Sequence, residues 1–263
     1  MRRLRRLVQK RSLRWSEGVC VLEGPDLVAS ALAAGIEFEA IYVDEAHASR
    51  DTSGELYELA ARHGVRVFSL APGVLERVAD AATPQPVLAA VRLPVTDVDA
   101  IPCEGLIVAL HDVRDPGNAG TLIRSADAAG ATAVIFTGHS VDPFNPKTLR
   151  ATAGSIFHLP VAVSELDVAL HSFASRGAAT FATVVRGGVD HRTVDYSRAT
   201  LVVIGNEAEG LDQAAIALCD GAISIQMAGS SESLNAGVAG SLIAFEAMWR
   251  RQDTTSRPPT PSL

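Results

Sequence analysis

Apolar runs alternate with stretches of helical periodicity along most of the chain. In the first third, strand-like runs and helical patterns alternate at residues 18–24, 25–34, 38–44, 56–64, 65–70, 75–82 and 87–93. A second series has strand-like runs at 105–113, 132–136, 178–185, 200–205 and 221–227, and helical patterns near 118–129, 145–153, 164–175, 211–218 and 234–250. These runs lack strict alternation, which is typical of parallel strands that are covered on both faces. The pattern predicts an α/β fold.

The two series are separated by a stretch without core periodicity. Residues 94–102 read PVTDVDAIP, with a proline at each end, and this composition favours a linker. We therefore expect a small α/β domain at 1–95, a linker at 96–103 and a larger α/β domain at 104–250. Residues 251–263 are polar and Pro-rich and are expected to form a disordered tail. In open α/β sheets, ligands bind beyond the carboxyl ends of the strands.

Composition excludes several function classes. The chain has 263 residues, 48% of them apolar, but no run has the length of a membrane span, and the basic N-terminus lacks the apolar segment of a secretory signal. Cys20, Cys103 and Cys219 are far apart, which fits a reducing cytoplasm better than a disulfide framework. No cluster of Cys and His has metal-ligand spacing, so no metal is expected.

Charge is distributed unevenly. The net charge is −7, yet residues 1–14 read MRRLRRLVQKRSLR and contain seven basic residues and no acid. A cationic arm on an acidic body indicates an anionic partner that is held at one place. A solubilising helix end explains the same residues equally well.

The first candidate site residues follow the strand at 105–113. The segment 111–131 reads HDVRDPGNAGTLIRSADAAGA. Its Pro-Gly turn predicts a helix that begins near Asn118, so that Arg124 is held on a rigid element and Asp127 can brace its guanidinium. The alternative is that Asn118 caps the helix and Arg124 belongs to a surface pair.

The second candidate is the loop GNEAEGL at 205–211. Gly205 and Gly210 have the spacing of a phosphate-binding loop, but the Lys and Ser/Thr of that motif are absent. Glu207 and Glu209 would repel a phosphate, so the loop suits a cationic or hydroxyl-rich ligand. The alternative is a strand-to-helix turn with solvated acids.

The third candidate is ISIQMAGSSESLNAGVAGSLIAFEAMW at 223–249. A strand is expected to end near Met227, and Ser233 and Asn235 stand at the start of the next helix, where free backbone N–H groups collect. That helix has a predicted apolar face of Leu234, Val238, Leu242 and Phe245, and a stripe of small residues at Ala236, Gly240 and Ala244. Both stripes are interpreted as core packing.

The three segments, in this order, resemble the motifs of the SpoU (TrmH-type) RNA 2′-O-ribose methyltransferases. The motifs are DPGNAGTLIR, VIGNEAEGL and IQM…SLNAGVA, and the resemblance covers about residues 105–250, including VDPFNPKTLRATAGSIFHLPV at 141–161. The opening of the first domain, with Arg14, Gly18, Glu23 and Gly24, resembles the L30e-like RNA-binding module of many such enzymes. One departure is Gly237, where the family usually has a serine, and we expect it to affect packing more than chemistry.

The resemblance implies a C-terminal α/β trefoil-knot domain after a small L30e-like α/β domain. It implies a cytoplasmic homodimer, with the active site near the subunit interface, that binds S-adenosylmethionine without a metal and acts on RNA. The donor contacts would be Thr183, Val184, Gly205, Ile225, Met227 and Leu234. The catalytic set would be Arg124, Asn118, Glu207, Ser233 and Asn235, with Glu207 as a brace. Expected RNA contacts are Arg2, Arg3, Arg5, Arg6, Arg14, Lys147 and Arg150.

The implied reaction is methyl transfer from S-adenosylmethionine to a ribose 2′-hydroxyl, with ribosomal RNA as the expected substrate. The family pattern gives Arg124 the activating role; a guanidinium retains its proton in proteins, so we favour orientation and charge stabilisation over general-base action. The alternatives are a tRNA 2′-O-methyltransferase and a non-catalytic RNA-binding or ribosome-assembly protein. An oxidoreductase is disfavoured because DPGNAG stands where GxGxxG is expected.

Overall fold

The protein is described here by a computed structural model, which covers residues 1–44, 52–78 and 84–256. The chain forms two compact units, and each draws on two stretches of sequence. The first unit comprises the described parts of 1–94 together with 142–158, and the second comprises 95–141 together with the described part of 159–263.

The first unit contains a four-stranded sheet. Its strands are β1 (Val19–Glu23), β2 (Phe38–Asp44), β3 (Val67–Leu70) and β4 (Val87–Arg92), in the order β1-β4-β2-β3. β4 runs antiparallel to both of its neighbours, and β2 pairs with β3 in parallel. The helices of this part of the chain are α1 (Arg2–Gln9), α2 (Arg11–Glu17), α3 (Pro25–Ala33) and α4 (Thr52–Arg62). The helix expected at 75–82 is a short 3₁₀ turn at Leu75–Arg77, and residues 79–82 lie outside the described residues.

The basic N-terminal segment is not a free arm. It forms α1 and α2, and α1 buries Leu4, Leu7 and Val8, spaced three and four residues apart, which is the spacing of one helix face. These side chains join a core cluster with strand residues such as Val19 and Leu88. The predicted cationic arm is therefore helical: its apolar face packs on the sheet, and Arg2, Arg5 and Arg6 remain exposed.

The second unit contains a seven-stranded sheet in which every pair of neighbours is parallel. The strands are β5 (Leu106–His111), β6 (Ala133–Thr137), β7 (Val161–Ser164), β8 (Ala179–Thr183), β9 (Val189–Asp190), β10 (Thr200–Ile204) and β11 (Gly221–Ser224). Their order is β7-β6-β5-β10-β8-β11-β9. The prediction missed β7 and β9, which have only four and two residues. All five residues of β10 are buried, as expected for a strand covered on both faces.

The helices complete the two units. They are α5 (Pro116–Ala128), α6 (Pro146–Thr152), α7 (Leu166–Ser175), α8 (Gln213–Ala217) and α9 (Ala236–Ser256). α6 belongs to the first unit, since the whole stretch 142–158 packs there. Among the described residues, no helix combines the length and the apolar character needed to cross a bilayer.

α5 and α9 pack against each other through small residues. A Cβ at Gly240 would overlap Leu122 Cδ2, so any larger residue would force the Leu122 side chain to move. A hydrogen bond of 2.7 Å joins the hydroxyl oxygens of Ser125 and Ser241 across the same interface. Ala236 and Ala244 are also buried, and the small-residue stripe serves packing as predicted.

The predicted apolar face of α9 is wrong. Val238 and Leu242 are 47% and 44% exposed, and Trp249, one helical turn beyond Phe245, is 55% exposed. The burial instead falls on Ile243, Ala244 and Ala247. α9 also continues to Ser256, so its last turns occupy the start of the stretch expected to be a disordered tail; residues 257–263 lie outside the described residues.

Candidate active site

A cavity of about 360 Å³ lies at the carboxyl edge of the parallel sheet in the second unit. Its walls come from the ends of β8, β10 and β11, the loop 205–211, residues 225–234 and the start of α9. The size is within the range of small-molecule sites. All six residues expected at the donor line this one cavity: Thr183, Val184, Gly205, Ile225, Met227 and Leu234.

The loop 205–211 is a tight turn organised by Asn206. The backbones of Asn206 and Gly210 exchange hydrogen bonds of 3.1 and 3.0 Å, and Gly210 has a φ of +69°. The side-chain oxygen of Asn206 accepts from the N–H groups of Ala208 and Glu209. A Cβ at Gly205 would lie 2.5 Å from the carbonyl carbon of Gly210, so Gly205 is required for the turn to close.

Asn206 is a site residue that the sequence reading missed. Its side-chain nitrogen donates to the carbonyl oxygen of Asp112 at 2.8 Å, which ties the loop to the end of β5. Asp112 has a φ of +57°, an uncommon conformation for a residue other than glycine. The signal in the sequence was an asparagine after the first glycine, because Asn side chains commonly bond to the backbone two residues ahead.

Glu207 braces the loop that begins α5. Its carboxylate accepts hydrogen bonds from the N–H groups of Arg114 (3.2 Å) and Asp115 (3.0 Å) and from Nδ2 of Asn118 (3.1 Å). Partial burial tends to raise the pKa of Glu207, but these hydrogen bonds outweigh it and the pKa is lowered. Glu207 is therefore a stable anion with its oxygens occupied, and it suits a bracing role better than that of a base.

Asn118 and Asn235 continue this network into the third motif. Oδ1 of Asn118 accepts from Nδ2 of Asn235 at 2.8 Å, and Oδ1 of Asn235 accepts from the N–H of Val238 in the first turn of α9. The cap of α5 is Asp115, whose carboxylate accepts from the N–H of Asn118. The alternative reading of Asn118 as a mere helix cap is therefore wrong, because its side chain links two motifs.

Ser233 and Arg124 occupy different surroundings. Ser233 is exposed and lines the cavity. Arg124 is exposed on α5 and is not among the residues that line it. Within the described residues, Arg124 has no side-chain hydrogen bond or ion pair, so the expected brace from Asp127 is not formed. The guanidinium therefore points to no partner within the described chain and lies apart from the cavity lining.

The expected RNA contacts in the first unit fall into two groups. Four of them are exposed, and their side chains form no ion pair or hydrogen bond within the described chain: Arg2, Arg5, Arg6 and Lys147. Three others are engaged. Arg3 donates hydrogen bonds to the carboxylates of Glu39 and Glu17, and these bonds raise its pKa. Arg150 is paired with Glu23 at 2.8 Å.

Arg14 cannot serve as an RNA contact. It is 2% exposed, and its guanidinium donates to the carbonyl oxygens of Leu7 and Val8 and to the carboxylate of Asp142. The Asp142 carboxylate also accepts from Nε1 of Trp15 and from the N–H of Phe144. This buried ion pair holds α1, α2 and the segment 142–158 together within the first unit. Arg14 is removed from the RNA-binding set for that reason.

The described residues contain no group of three or more His, Cys, Asp or Glu side chains arranged to hold a metal ion. The polar groups at the cavity are amides, hydroxyls, backbone atoms and single charged side chains. This donor set suits an organic ligand with polar and apolar parts.

Comparison with known proteins assigns both parts of the chain. Residues 105–245 match the SpoU rRNA Methylase family, and residues 1–89 match the MRM3-like substrate binding domain. The chain is 34% identical over 254 residues to the 23S rRNA (uridine(2479)-2′-O)-methyltransferase of Streptomyces viridochromogenes, covering 93% of this chain and 88% of the relative. It is 30% identical over 226 residues to the 23S rRNA (guanosine(2553)-2′-O)-methyltransferase RlmP of Bacillus subtilis, covering 86% of each.

A solved structure gives the same result for the fold. The SpoU methyltransferase AviRb from Streptomyces viridochromogenes, in complex with the cofactor AdoMet, matches with a TM-score of 0.87 and 31% identity, over 97% of this chain and 98% of that one. The expected fold, a small α/β domain followed by a trefoil-knot methyltransferase domain, is confirmed. The chain belongs to the SpoU rRNA methylase family.

Proposed function

We propose that this protein transfers a methyl group from S-adenosylmethionine to a ribose 2′-hydroxyl of ribosomal RNA. The observation that carries the proposal is that the second and third motif segments line one cavity, with the six expected donor contacts all in its lining, while Asn118 of the first motif is hydrogen-bonded to Glu207 and Asn235. Two relatives that the chain covers almost fully are named as 23S rRNA 2′-O-methyltransferases. Action on ribosomal RNA also fits a cytoplasmic location.

The cavity fits the donor in shape and chemistry. Apolar side chains including Ile204, Ile223 and Ile243 line it and suit an adenine ring. Because Gly205 has no Cβ, the turn 205–211 can close on itself. The residues of this turn line the cavity. Glu207 and Glu209 belong to the lining, and carboxylates favour a cationic ligand over a phosphate.

S-Adenosylmethionine supplies a methyl group on a sulfonium, which is reactive enough that the protein mainly has to align the acceptor oxygen. In the proposed mechanism Glu207 fixes the backbone at Arg114 and Asp115, and it fixes the amide of Asn118. Asn118 in turn holds Asn235 at the start of α9. Ser233, which belongs to the cavity lining, bonds to the ribose or the donor in this mechanism.

Arg124 orients the acceptor nucleotide. A guanidinium stays protonated in proteins and cannot serve as a base, but it can bind the RNA phosphate through paired N–H groups. It also stabilises the negative charge that develops on the 2′-oxygen as its proton leaves to water.

The proposed assembly is a homodimer formed through α5 and α9. Val238, Leu242 and Trp249 form an exposed apolar stripe on α9, and contiguous apolar exposure of this kind marks interaction sites. α5 packs beside α9 and exposes Thr121 and Arg124 along one face. Because Arg124 is absent from the cavity of its own chain, a dimer on this face places Arg124 to act at the cavity of the partner.

Transfer of tritium from labelled S-adenosylmethionine to ribosomal RNA, followed by mapping of ribose methylation, tests the function. Incorporation at a 2′-hydroxyl of ribosomal RNA is the expected result. Methylation confined to tRNA would identify the tRNA enzyme instead. Calorimetry that shows no binding of S-adenosylmethionine would favour the non-catalytic alternative.

Mixed dimers test the shared site. One chain carries Arg124→Ala and the other carries Gly205→Val, which blocks the cavity. A shared site predicts activity near half that of wild type in the heterodimer, because one cavity still meets an intact Arg124. An inactive heterodimer would show that Arg124 serves its own chain.

A further inference from the structure

Arg186 is a charged side chain of the cavity that the family motifs leave unassigned. It lies in the loop between β8 and β9 and belongs to the cavity lining. Of the described residues in that lining, it is the one that carries a positive charge. Arg186 is exposed, and within the described chain its side chain has no hydrogen bond or ion pair.

The backbone on both sides of Arg186 is fixed against β11. The N–H of Val184 donates to the carbonyl oxygen of Ile223 at 2.9 Å. A Cβ at Gly188 would lie 2.6 Å from the carbonyl carbon of Ile223, and the Gly188 carbonyl oxygen accepts from the hydroxyl of Ser224 at 3.0 Å. The loop is therefore anchored two residues before and two residues after Arg186, which restricts where its guanidinium can go.

The charges of the lining match those of the proposed donor. S-Adenosylmethionine has two positive groups, the sulfonium and the ammonium, and one negative group, the methionyl carboxylate. The cavity offers Glu207 and Glu209 as acids and Arg186 as the cation. Glu207 is occupied by Arg114, Asp115 and Asn118, so Glu209 remains for a positive group of the ligand.

We infer that Arg186 binds the methionyl carboxylate of S-adenosylmethionine and so fixes the end of the donor opposite the adenine. An arginine can hold a carboxylate through two parallel N–H···O bonds. This assignment rests on the proposed function, because it requires S-adenosylmethionine in the cavity. It adds a residue that selects the complete donor over analogues that lack the carboxylate.

The test is calorimetry with two ligands and three proteins. The ligands are S-adenosylmethionine and its decarboxylated analogue, which keeps the sulfonium and the ammonium. Wild type is expected to prefer S-adenosylmethionine by about tenfold, in line with a charge-assisted hydrogen bond at an exposed position. Arg186→Gln should bind S-adenosylmethionine about tenfold more weakly, bind the analogue as wild type does, and so lose the preference.

Arg198→Gln is the matched control, because Arg198 is an exposed arginine just before β10, at the amino edge of the same sheet. It should keep the preference of wild type. An Arg186→Gln variant that keeps the preference, or that weakens both ligands equally, would overturn the assignment. A raised KM for RNA with unchanged donor affinity would also overturn it and would move Arg186 to the RNA. Failure of wild type to bind S-adenosylmethionine would instead reject the proposed function.

Discussion

The side-chain nitrogen of Asn235 donates a 2.8 Å hydrogen bond to the side-chain oxygen of Asn118, 117 residues away in the sequence. The other end of the Asn118 amide donates to Glu207. Three separate motifs are thus joined by two hydrogen bonds through one side chain. Glu207 accepts from the nitrogen of the Asn118 amide and Asn235 donates to its oxygen. Since a carboxylate can only accept, the Asn118 amide has one orientation that satisfies both bonds.

Replacement of Asn118 should shift the pH dependence of the reaction. In the native protein Glu207 has a lowered pKa, and the bond from Asn118 is among the causes. The stabilising effect of ionised Glu207 is present above the ordinary carboxyl pKa and is lost as the pH falls through the lowered value. In Asn118→Ala that pKa rises, so the acid limb of the pH–rate profile should move to higher pH, with kcat reduced by about 10- to 100-fold.

Asn118→Asp should be more damaging than Asn118→Ala, because a second carboxylate would face Glu207. Asn145→Ala is a suitable control, since Asn145 caps α6 in the first unit by accepting from the N–H of Lys147. In the control, the free energy of unfolding should fall by about 1 kcal/mol, and the pH–rate profile should stay that of wild type. An unshifted profile in both Asn118 variants would contradict the network.

Arg124→Ala should abolish methyl transfer while donor binding survives. The guanidinium does not line the cavity, so affinity for S-adenosylmethionine should stay within about twofold, whereas kcat should fall by at least about 100-fold. Arg124→Lys should recover only part of the rate, because the ammonium keeps the charge and loses the paired N–H geometry. Arg62→Ala, on the exposed face of α4, serves as the control, and turnover retained by Arg124→Ala in a tritiated-donor assay would reject the role.

The open arginines of α1 should contribute to RNA affinity. Deletion of residues 1–14, a test that the sequence alone suggests, would also remove Leu4, Leu7 and Arg14 from the core. The substitutions Arg2→Gln, Arg5→Gln and Arg6→Gln together leave that core intact. They should weaken RNA binding and reduce the slope of log K against log salt by about 0.7 to 0.9 for each RNA phosphate that is no longer neutralised.

Arg3→Gln is the matched control for that experiment. Arg3 is already paired with Glu17 and Glu39, so its replacement should change the salt dependence much less. Filter-binding titrations at several salt concentrations give the slopes. Equal slopes for wild type and the triple variant would remove α1 from the RNA-binding surface.

The apolar stripe on α9 should control the oligomeric state. Leu242→Glu and Trp249→Glu place carboxylates on a surface that the proposed dimer buries, and such charges are costly when desolvated. Sedimentation should show the dimer dissociation constant raised by at least about 100-fold. Val168→Glu, at a similarly exposed apolar position on α7, should leave it unchanged, and dimers that persist in both α9 variants would place the interface elsewhere.

Breaking the Arg14–Asp142 pair should destabilise the first unit. Both side chains are about 3% exposed, so Arg14→Gln or Asp142→Asn leaves a buried charge without its partner, at a cost of about 3–5 kcal/mol. The double variant Arg14→Met with Asp142→Leu should recover part of that loss. Arg62→Gln, whose pair with Glu58 is exposed, should cost less than about 1 kcal/mol, and denaturant unfolding measures all four.

The sequence predicted the elements whose cause is local. β2, β4 and β10 are predominantly apolar runs, and the structure places them within one or two residues of the expected bounds. β7 and β9 were missed because their pairing depends on neighbours in the sheet rather than on their own short patterns. In α1 the arginines obscured the apolar spacing of Leu4 and Leu7.

The candidate site divides in the same way. Strand ends and glycine loops located the cavity, because parallel strands bring their carboxyl ends to one edge. The partners of Asn118, Glu207 and Asn206 could not be read from the sequence, since each bond joins segments far apart in the chain. The exposed face of α9 was predicted wrongly because apolar periodicity alone does not show whether an apolar face is buried within the chain.

The placement of residues 142–158 with the first unit affects how this protein can be divided. A fragment cut at residue 95 would contain Phe144, Leu149 and Ile156, which are buried in the full chain, without the sheet and helices of the unit they belong to. Such a fragment should aggregate, although it includes every residue of the methylase match. A chimaera that exchanges RNA-recognition modules between relatives must therefore transplant two stretches of sequence together, the first ninety-odd residues and this internal one.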